Sequence, residues 1–268
     1  MTATVAPVMD HTFRSGSLTL SCHLATPTPS AGAPGVVLCH GFPVRGRESP
    51  ASGKSFPELA ERIAVEMGWM ALAMNFRGCG RSEGEFSLGG WLDDIGAAVD
   101  HLRDQGVGDV WLAGFGSGGA LCICAAARDP GVRGVAAMAA PADFADWAKN
   151  PRRLLLHARQ VGVVKRNDFP IDLDAWAQEL RDVSSVAAAS EMADRPLLLI
   201  HGEADDLVPS LDTRVLADAH GSAEMRIIAG AGHELRHDPR AVAVILGWLA
   251  RHERAVRMAD APGGLGPL

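Results

Sequence analysis

The stretch from Val110 to Leu121 constrains the fold of this chain more than any other. It reads Val-Trp-Leu-Ala-Gly-Phe-Gly-Ser-Gly-Gly-Ala-Leu, an apolar run that stops at glycine and continues as small, apolar helix formers. This pattern predicts a buried strand joined to a helix through a turn too tight for most side chains. One residue of such a turn lies at the carboxyl end of a sheet, beside the positive end of the helix dipole. We therefore look for the functional site around this turn.

Length and composition are those of an ordinary globular protein. The 268 residues suffice for one large domain, and apolar and charged residues make up 47% and 21% of them. The net charge of −7 and the lack of a basic run argue against a nucleic-acid surface. No apolar run reaches the roughly 20 residues that cross a bilayer, and residues 1–11 do not have the pattern of a signal peptide. Because the five cysteines fit neither a metal site nor a disulfide framework, we expect a soluble, cytoplasmic protein with no membrane partner.

The remaining sequence alternates between apolar strands and helical segments after an opening hairpin. Strands are predicted at 12–14, 18–24, 36–39, 69–75, 110–113, 134–139, 196–201 and 224–228, and helices at 56–66, 91–104, 118–127, 151–161, 173–182, 210–220 and 238–252. This alternation predicts an α/β fold with a mostly parallel sheet covered by helices on both faces. Residues 12–140 and 195–252 are expected to form the core, 141–194 a cap insertion over the site, and 1–11 and 253–268 flexible ends.

An acidic residue and a histidine follow two successive strands near the end of the chain. Asp205 lies in the loop after residues 196–201, and His233 in the loop after residues 224–228. Because the carboxyl ends of parallel strands share one edge of the sheet, the two side chains can meet there. The carboxylate would then hold one imidazole nitrogen while the other acts as a base. Asp206 is an alternative acid, and His237 an alternative histidine.

The order of tight turn, acid and histidine resembles that of the α/β-hydrolases, over about residues 12 to 252. His40-Gly41-Phe42-Pro43 resembles the oxyanion loop of that family, residues 75–82 are similar to its next glycine-rich loop, and 141–194 matches its cap position. The resemblance implies an α/β-hydrolase fold and an activity like that of esterases or dienelactone hydrolases. It also implies Asp205 and His233 as catalytic acid and histidine, a small acyl substrate and no metal or organic cofactor.

The chain departs from that family at the nucleophile, where the family has Gly-x-Ser-x-Gly. Both flanking glycines of the pattern match residues 114–118 only if Gly116 takes the place of the serine. Moving the alignment by one puts Ser117 in the role, but Phe115 then replaces the small residue that lets strand and helix approach. A glycine at the apex avoids a backbone strain of about 1–3 kcal/mol and removes the nucleophile with it.

Three interpretations follow from this departure. In the first, which we take as the prediction, Ser117 attacks an ester, thioester or related acyl bond, His233 transfers the proton and Asp205 orients the imidazole. Backbone amides near Phe42 and just after the nucleophile, at Gly118, would stabilise the oxyanion. Gly116 is a further candidate oxyanion or binding residue. In the second, His233 and Asp205 deprotonate a water directly. In the third, the site binds a small ligand without catalysis.

Other functions remain open for the same residues. Residues 114–119 also match the dinucleotide pattern Gly-x-Gly-x-x-Gly, but two strand-helix units precede them and no acid ends the next strand. Ser117 could be an ordinary residue of the first helical turn, and Cys79 could supply a thiol nucleophile. Trp147 and Trp176 lie in the predicted cap, where they line an acyl pocket or pack the cap itself. The oligomeric state also remains open at this point, with a homo-oligomer as one alternative to a monomer.

Overall fold

A computed structural model describes residues 10–30, 32–43, 55–192 and 194–259 of the chain. The strands are β1 (Asp10–Ser15), β2 (Leu18–Ala25), β3 (Gly35–Cys39), β4 (Met70–Met74), β5 (Val110–Phe115), β6 (Val132–Met138), β7 (Leu197–Gly202) and β8 (Glu224–Ile228). The helices are α1 (Ser55–Met67), α2 (Leu88–Asp104), α3 (Ser117–Arg128), α4 (Ala145–Lys149), α5 (Pro151–Gln160), α6 (Leu173–Asp182), α7 (Ser185–Glu191), α8 (Ser210–His220) and α9 (Pro239–Ala259). Within these ranges, no helix is long and apolar enough to cross a membrane.

The strands described here form one sheet in the order β1-β2-β4-β3-β5-β6-β7-β8. The β1–β2 and β2–β4 pairs are antiparallel, whereas every pair from β4 to β8 is parallel. The parallel part buries strands on both faces, because the crossover helices lie above and below it. The predicted α/β-hydrolase fold, with a mostly parallel central sheet, is confirmed.

The alternation of side chains along the central strands divides the core into two layers. In β3, Val37 and Cys39 belong to the layer that contains α2 and α3, whereas Val36 and Leu38 belong to the layer that contains α1 and α9. All four side chains are fully buried, as expected for a strand with helices on both sides. The carboxyl end of β3 is therefore held in place by packing on both faces, and this fixes the position at which the following loop begins.

A buried ionic cluster connects the loop after β4 to the amino-terminal hairpin. Asp94, on α2, is fully buried, and its Oδ1 accepts a hydrogen bond of 2.7 Å from the hydroxyl of Ser15. The backbone amide of Arg77 donates to Oδ2 at 2.9 Å, and its guanidinium contacts Oδ1 at 2.7 Å. Because every partner is satisfied, the buried charge is compensated and the loop is held in one position.

The structure corrects several predicted boundaries. Helix α9 continues to Ala259, so the tail predicted at 253–268 is helical over its first seven residues. Six of these seven residues are Glu, Arg, Ala or Met, which favour helix, and no glycine or proline interrupts them. At the other end β1 begins at Asp10, inside the predicted flexible segment 1–11. The rest of the two predicted ends, 1–9 and 260–268, lies outside the described residues.

The predicted cap insertion at 141–194 contains two kinds of helix. Helix α4 contacts α5 and α6, and α6 also contacts α2. Helix α7, by contrast, packs against α3 and α8 of the core, through the small buried residues Ala188 and Ala189. The Ser185 hydroxyl at its start donates to the carbonyl of Ala142 at 2.6 Å. Helix α7 therefore packs with the core layer, and a cap stays a prediction that now concerns only α4, α5 and α6.

Replacing Asp94 with Ala is expected to lower the free energy of unfolding by about 3–5 kcal/mol, because it leaves the Arg77 guanidinium part-buried without its counter-charge. Urea denaturation of purified protein measures this difference. Asp93→Ala is the matched control, since its neighbouring carboxylate is exposed, and it should change stability by less than about 0.5 kcal/mol. Equal losses in both variants would contradict the role of the buried cluster.

Candidate active site

Gly116 forms the apex of the turn between β5 and α3. Its φ of 55° and ψ of −129° lie in a region that residues with a β-carbon enter only with strain. Its amide donates to the carbonyl of Met138 at 2.8 Å, which fixes the apex against β6. The alignment in which Gly116 stands at the position of the family's serine is therefore the one the backbone adopts.

The glycines on either side of the apex allow backbones to touch. A β-carbon on Gly114 would lie 2.5 Å from the carbonyl oxygen of Gly118, and one on Gly118 would overlap the carbonyl of His40. The turn, the first residues of α3 and the loop after β3 are thus in direct backbone contact. Close packing accounts for these glycines without a dinucleotide.

The structure brings together Asp205 and His233, as predicted. Nδ1 of His233 lies 2.9 Å from Oδ2 of Asp205. The other carboxylate oxygen, Oδ1, accepts hydrogen bonds from the amides of Leu207 and Val208 at 2.9 and 3.0 Å. His201 is fully buried behind the carboxylate, with its Nε2 3.4 Å from Oδ2. The carboxylate is therefore held from three directions and cannot turn away from the imidazole.

The charge of Asp205 favours one arrangement of protons on His233. Burial alone would raise the pKa of Asp205, but hydrogen bonds from His233 and from the two amides of its loop outweigh it, so the pKa is lowered. The ionised carboxylate accepts the proton on Nδ1 and leaves Nε2 as the basic nitrogen. The alternative acid, Asp206, has no hydrogen bond to His233 within the described residues, and the alternative histidine, His237, is exposed on a short 3₁₀ turn.

The apex faces the free nitrogen of this pair. A β-carbon on Gly116 would lie 3.6 Å from Nε2 of His233 and 3.7 Å from the α-carbon of Gly41. Both distances are ordinary van der Waals contacts. A hydroxyl or a water placed over Gly116 would therefore be within reach of the imidazole.

Ser117 points elsewhere. It is the first residue of α3, and its Oγ accepts a hydrogen bond of 2.8 Å from the amide of Phe42. The described part of the chain contains no hydrogen bond between Ser117 and His233. Because successive residues of a helix are rotated by about 100°, a side chain one residue past the apex leaves in a different direction. Ser117 as the nucleophile stays a prediction that the geometry does not favour.

The predicted oxyanion amides differ in what they can still bind. The amide of Phe42 is bonded to Ser117, and the amide of Gly116 is bonded to Met138. The N–H of Gly116 is used within the sheet edge and is not available to an oxyanion, so a role of Gly116 in the site stays a prediction for substrate binding. The amides of Ser117 and Gly118 are in the first turn of α3, where no intrahelical acceptor exists. Neither amide has a backbone acceptor outside the helix among the described residues, so both remain able to bind an oxyanion.

His40 holds the oxyanion loop in place. It is buried, its Nδ1 donates to the carbonyl of Gly41 at 2.8 Å, and its Nε2 accepts from the amide of Phe76 at 3.3 Å. Burial lowers the pKa of His40 to about 4, partly opposed by the bond to Gly41 and assisted by the charge of Arg236. The imidazole is therefore neutral near pH 7, which is the state that can accept from an amide.

A cavity of about 340 Å³ lies over Gly116 and His233. The wall formed by α4 and α5 is aromatic: the ring of Trp147, on α4, lies 5.1 Å from that of Phe42, and His157, on α5, lies 5.8 Å from the same ring. Trp147 thus both lines the cavity and packs against neighbouring rings. Trp176, by contrast, is buried and donates to the carbonyl of Phe86 at 3.1 Å. Sequence reasoning missed His157, because nothing in the pattern of α5 distinguishes a residue that faces the cavity from one that faces water.

The thiol alternative is not supported. Cys79 is only 4% exposed and does not line the cavity, and burial raises the pKa of its thiol. A protonated, enclosed thiol is a poor nucleophile. The described residues also contain no group of three or more side chains suited to holding a metal ion.

Comparison with known sequences identifies the family. A model described as the alpha/beta hydrolase family matches residues 36–245, more than three quarters of the chain. The chain belongs to this family. The match includes the elbow at Gly116, the acid Asp205 and the histidine His233. No curated protein matches the sequence of this α/β-hydrolase.

Solved structures share the fold at low sequence identity. Est1E from Butyrivibrio proteoclasticus is 17% identical, with a TM-score of 0.68 over 92% of this chain and 98% of that one. The α/β-hydrolase GrgF from Penicillium sp. sh18 is 19% identical, with a TM-score of 0.68 over 91% and 97%. The Pyrococcus furiosus esterase Pf2001 is 15% identical, with a TM-score of 0.66 over 92% and 90%. This α/β-hydrolase has the architecture of these proteins.

Asp205→Asn is expected to make the free energy of unfolding less dependent on pH in the acidic range. A lowered pKa in the folded state means that Asp205 contributes stability above its ordinary pKa of about 3.9, and that this contribution is lost as the pH falls through the folded value. The unfolding free energy of the wild type should therefore fall more between about pH 5 and pH 2 than that of the variant. Denaturant titrations across this range measure it. Asp206→Asn, the neighbouring control, should keep the wild-type slope; if it changes the slope as much as Asp205→Asn, the assignment is wrong.

Proposed function

We propose that this α/β-hydrolase cleaves a small carboxylic ester, thioester or related acyl bond with a water activated directly by His233. The observation that carries the proposal is the position of Nε2, 3.6 Å from a β-carbon built on Gly116, with ionised Asp205 on the opposite ring nitrogen. The family supports a hydrolytic reaction, and a neighbour of the same fold is an esterase. The cavity of about 340 Å³ suits a small substrate.

The reaction needs one base and one oxyanion site. A water over Gly116 gives a proton to Nε2 of His233 as its oxygen bonds to the acyl carbon, and the carbonyl electron pair moves onto the carbonyl oxygen. Asp205 stabilises the imidazolium that forms. The tetrahedral intermediate then collapses, the bond to the leaving group breaks, and Nε2 returns its proton to the departing oxygen or sulfur. The products are a carboxylic acid and an alcohol or thiol.

The Ser-Asp-His mechanism is the second candidate. It is favoured by one observation, that Ser117 lines the same cavity as His233. To attack, the hydroxyl would have to release the amide of Phe42 and approach Nε2. The two mechanisms differ in whether an acyl group is ever bound covalently to the protein.

The cysteines support a cytoplasmic location as part of the proposal. None of the five forms a disulfide, and all are buried, which fits a chain that folds in a reducing compartment.

His233→Ala is expected to lower kcat for p-nitrophenyl acetate by about 10²–10⁴, because it removes the base that, among the described residues, faces the apex. His237→Ala is the matched control, since that imidazole is exposed and lies outside the cavity. A spectrophotometric assay at pH 7 measures both. Hydrolysis that survives in His233→Ala, or its absence from the wild type with a series of short p-nitrophenyl esters and thioesters, would overturn the proposal.

A fluorophosphonate probe separates the two mechanisms. We expect the wild type to remain unlabelled, because no hydroxyl is activated by His233, and Gly116→Ser to become labelled, at a stability cost of about 1–3 kcal/mol for the strained apex. Intact mass spectrometry locates the adduct. A wild type that is labelled, and that loses labelling and turnover in Ser117→Ala, would establish Ser117 as the nucleophile instead.

A further inference from the structure

The hydroxyl oxygen of Ser117 lies next to the amide of Phe42, at the position where the oxyanion of a substrate would bind such a donor. Its Oγ lies 2.8 Å from the amide nitrogen of Phe42, within the 2.7–3.1 Å at which such a donor meets an oxyanion. The residue is 6% exposed and lines the cavity. The amide on the oxyanion loop is thus already bonded to an oxygen of the protein.

That bond leaves the hydroxyl proton available. A serine hydroxyl has one proton to donate and two lone pairs to accept with, and the bond from Phe42 uses only a lone pair. No acceptor for the proton is found among the described residues. An N–H that donates to a hydroxyl also polarises it, so the O–H becomes a stronger donor than an isolated one.

We propose that Ser117 is the oxyanion donor of this site, with its hydroxyl relaying the hydrogen bond of Phe42 to the carbonyl oxygen of the substrate. This inference rests on the proposed acyl hydrolysis. The glycine at the apex makes the arrangement workable, because no side chain at Gly116 binds the acyl carbon. The carbonyl group of the substrate can therefore lie further from the loop at Phe42 than it would in a covalent intermediate, with the Ser117 hydroxyl between the two.

The donor keeps its own proton throughout the reaction. As the water oxygen bonds to the acyl carbon, negative charge develops on the carbonyl oxygen. The Ser117 O–H and the backbone amides of Ser117 and Gly118, at the start of α3, stabilise this charge through hydrogen bonds. The positive end of the dipole of α3 acts in the same direction. When the bond to the leaving group breaks, the oxygen returns to a carbonyl and the hydrogen bonds weaken. Proton transfer involves His233 alone.

The kinetic test compares Ser117→Ala with Ser117→Thr, which keeps a hydroxyl. Ser117→Ala should lower kcat for p-nitrophenyl acetate by about 10- to 100-fold, with little change in KM. This decrease is smaller than the roughly 10²–10³-fold decrease expected when an oxyanion donor is lost outright, because the freed amide of Phe42 compensates in part. Ser117→Thr should keep kcat within about tenfold of the wild type, because it retains the hydroxyl. A merely structural serine would not make kcat depend on the hydroxyl in this way, and a nucleophilic serine would be labelled by the fluorophosphonate probe. Ser190→Ala, on the exposed end of α7, is the control and should behave as the wild type.

Three results would overturn the proposal. A rise in kcat in Ser117→Ala would mean that the hydroxyl blocks the oxyanion site. An unchanged kcat would mean that it contributes nothing. Fluorophosphonate labelling of the wild type that disappears in Ser117→Ala would mean that it is a nucleophile.

A binding measurement keeps this inference separate from the proposed function. Phenylphosphonate resembles a tetrahedral intermediate, and calorimetry should show it bound at least about tenfold more weakly by Ser117→Ala than by the wild type and Ser190→Ala. If this difference is found but no ester or thioester is hydrolysed, the donor role stands and the proposed function fails. If the wild type hydrolyses esters but Ser117→Ala matches it in both kcat and binding, the function stands and the donor role fails. If the wild type neither binds nor hydrolyses, both fail.

Discussion

The site depends on backbone contact at the elbow. Gly114 and Gly118 touch across the turn, and Gly118 also touches the carbonyl of His40. A shift of one residue would bring a side chain into one of these contacts, where no space exists for it. The packing of β3, β5 and α3 therefore decides which residue stands at the apex, and it selects Gly116. The direction of the Ser117 side chain is a consequence of that packing.

Environment, more than residue type, determines what the histidines of this edge do. His40 and His201 are buried and bonded to backbone carbonyls, and they hold the loops that carry Phe42 and Asp205. His233 is partly exposed, at 19% of its side chain, and one of its nitrogens faces the cavity. Of these three histidines, His233 is the one that combines a carboxylate on one nitrogen with an open second nitrogen, the arrangement that suits a general base.

The features that follow from chain order and periodicity could be predicted from the sequence. The parallel sheet, the glycine apex, and the pairing of Asp205 with His233 all follow from where apolar runs end, because parallel strands deliver their following loops to one edge. The bond between Ser117 and Phe42 could not be predicted, since it joins residues 75 positions apart through the rotation of one side chain. His157 and α7 were missed for a related reason: tertiary packing, which no local pattern records, decides which face of a short helix is covered.

The unstrained apex also bears on how this lineage can change. The space beside His233 already accommodates a β-carbon at residue 116. The single substitution Gly116→Ser would therefore place a hydroxyl where the family has its serine, against the torsional strain of one residue. The pair formed by Asp205 and His233 would need no rearrangement for that step.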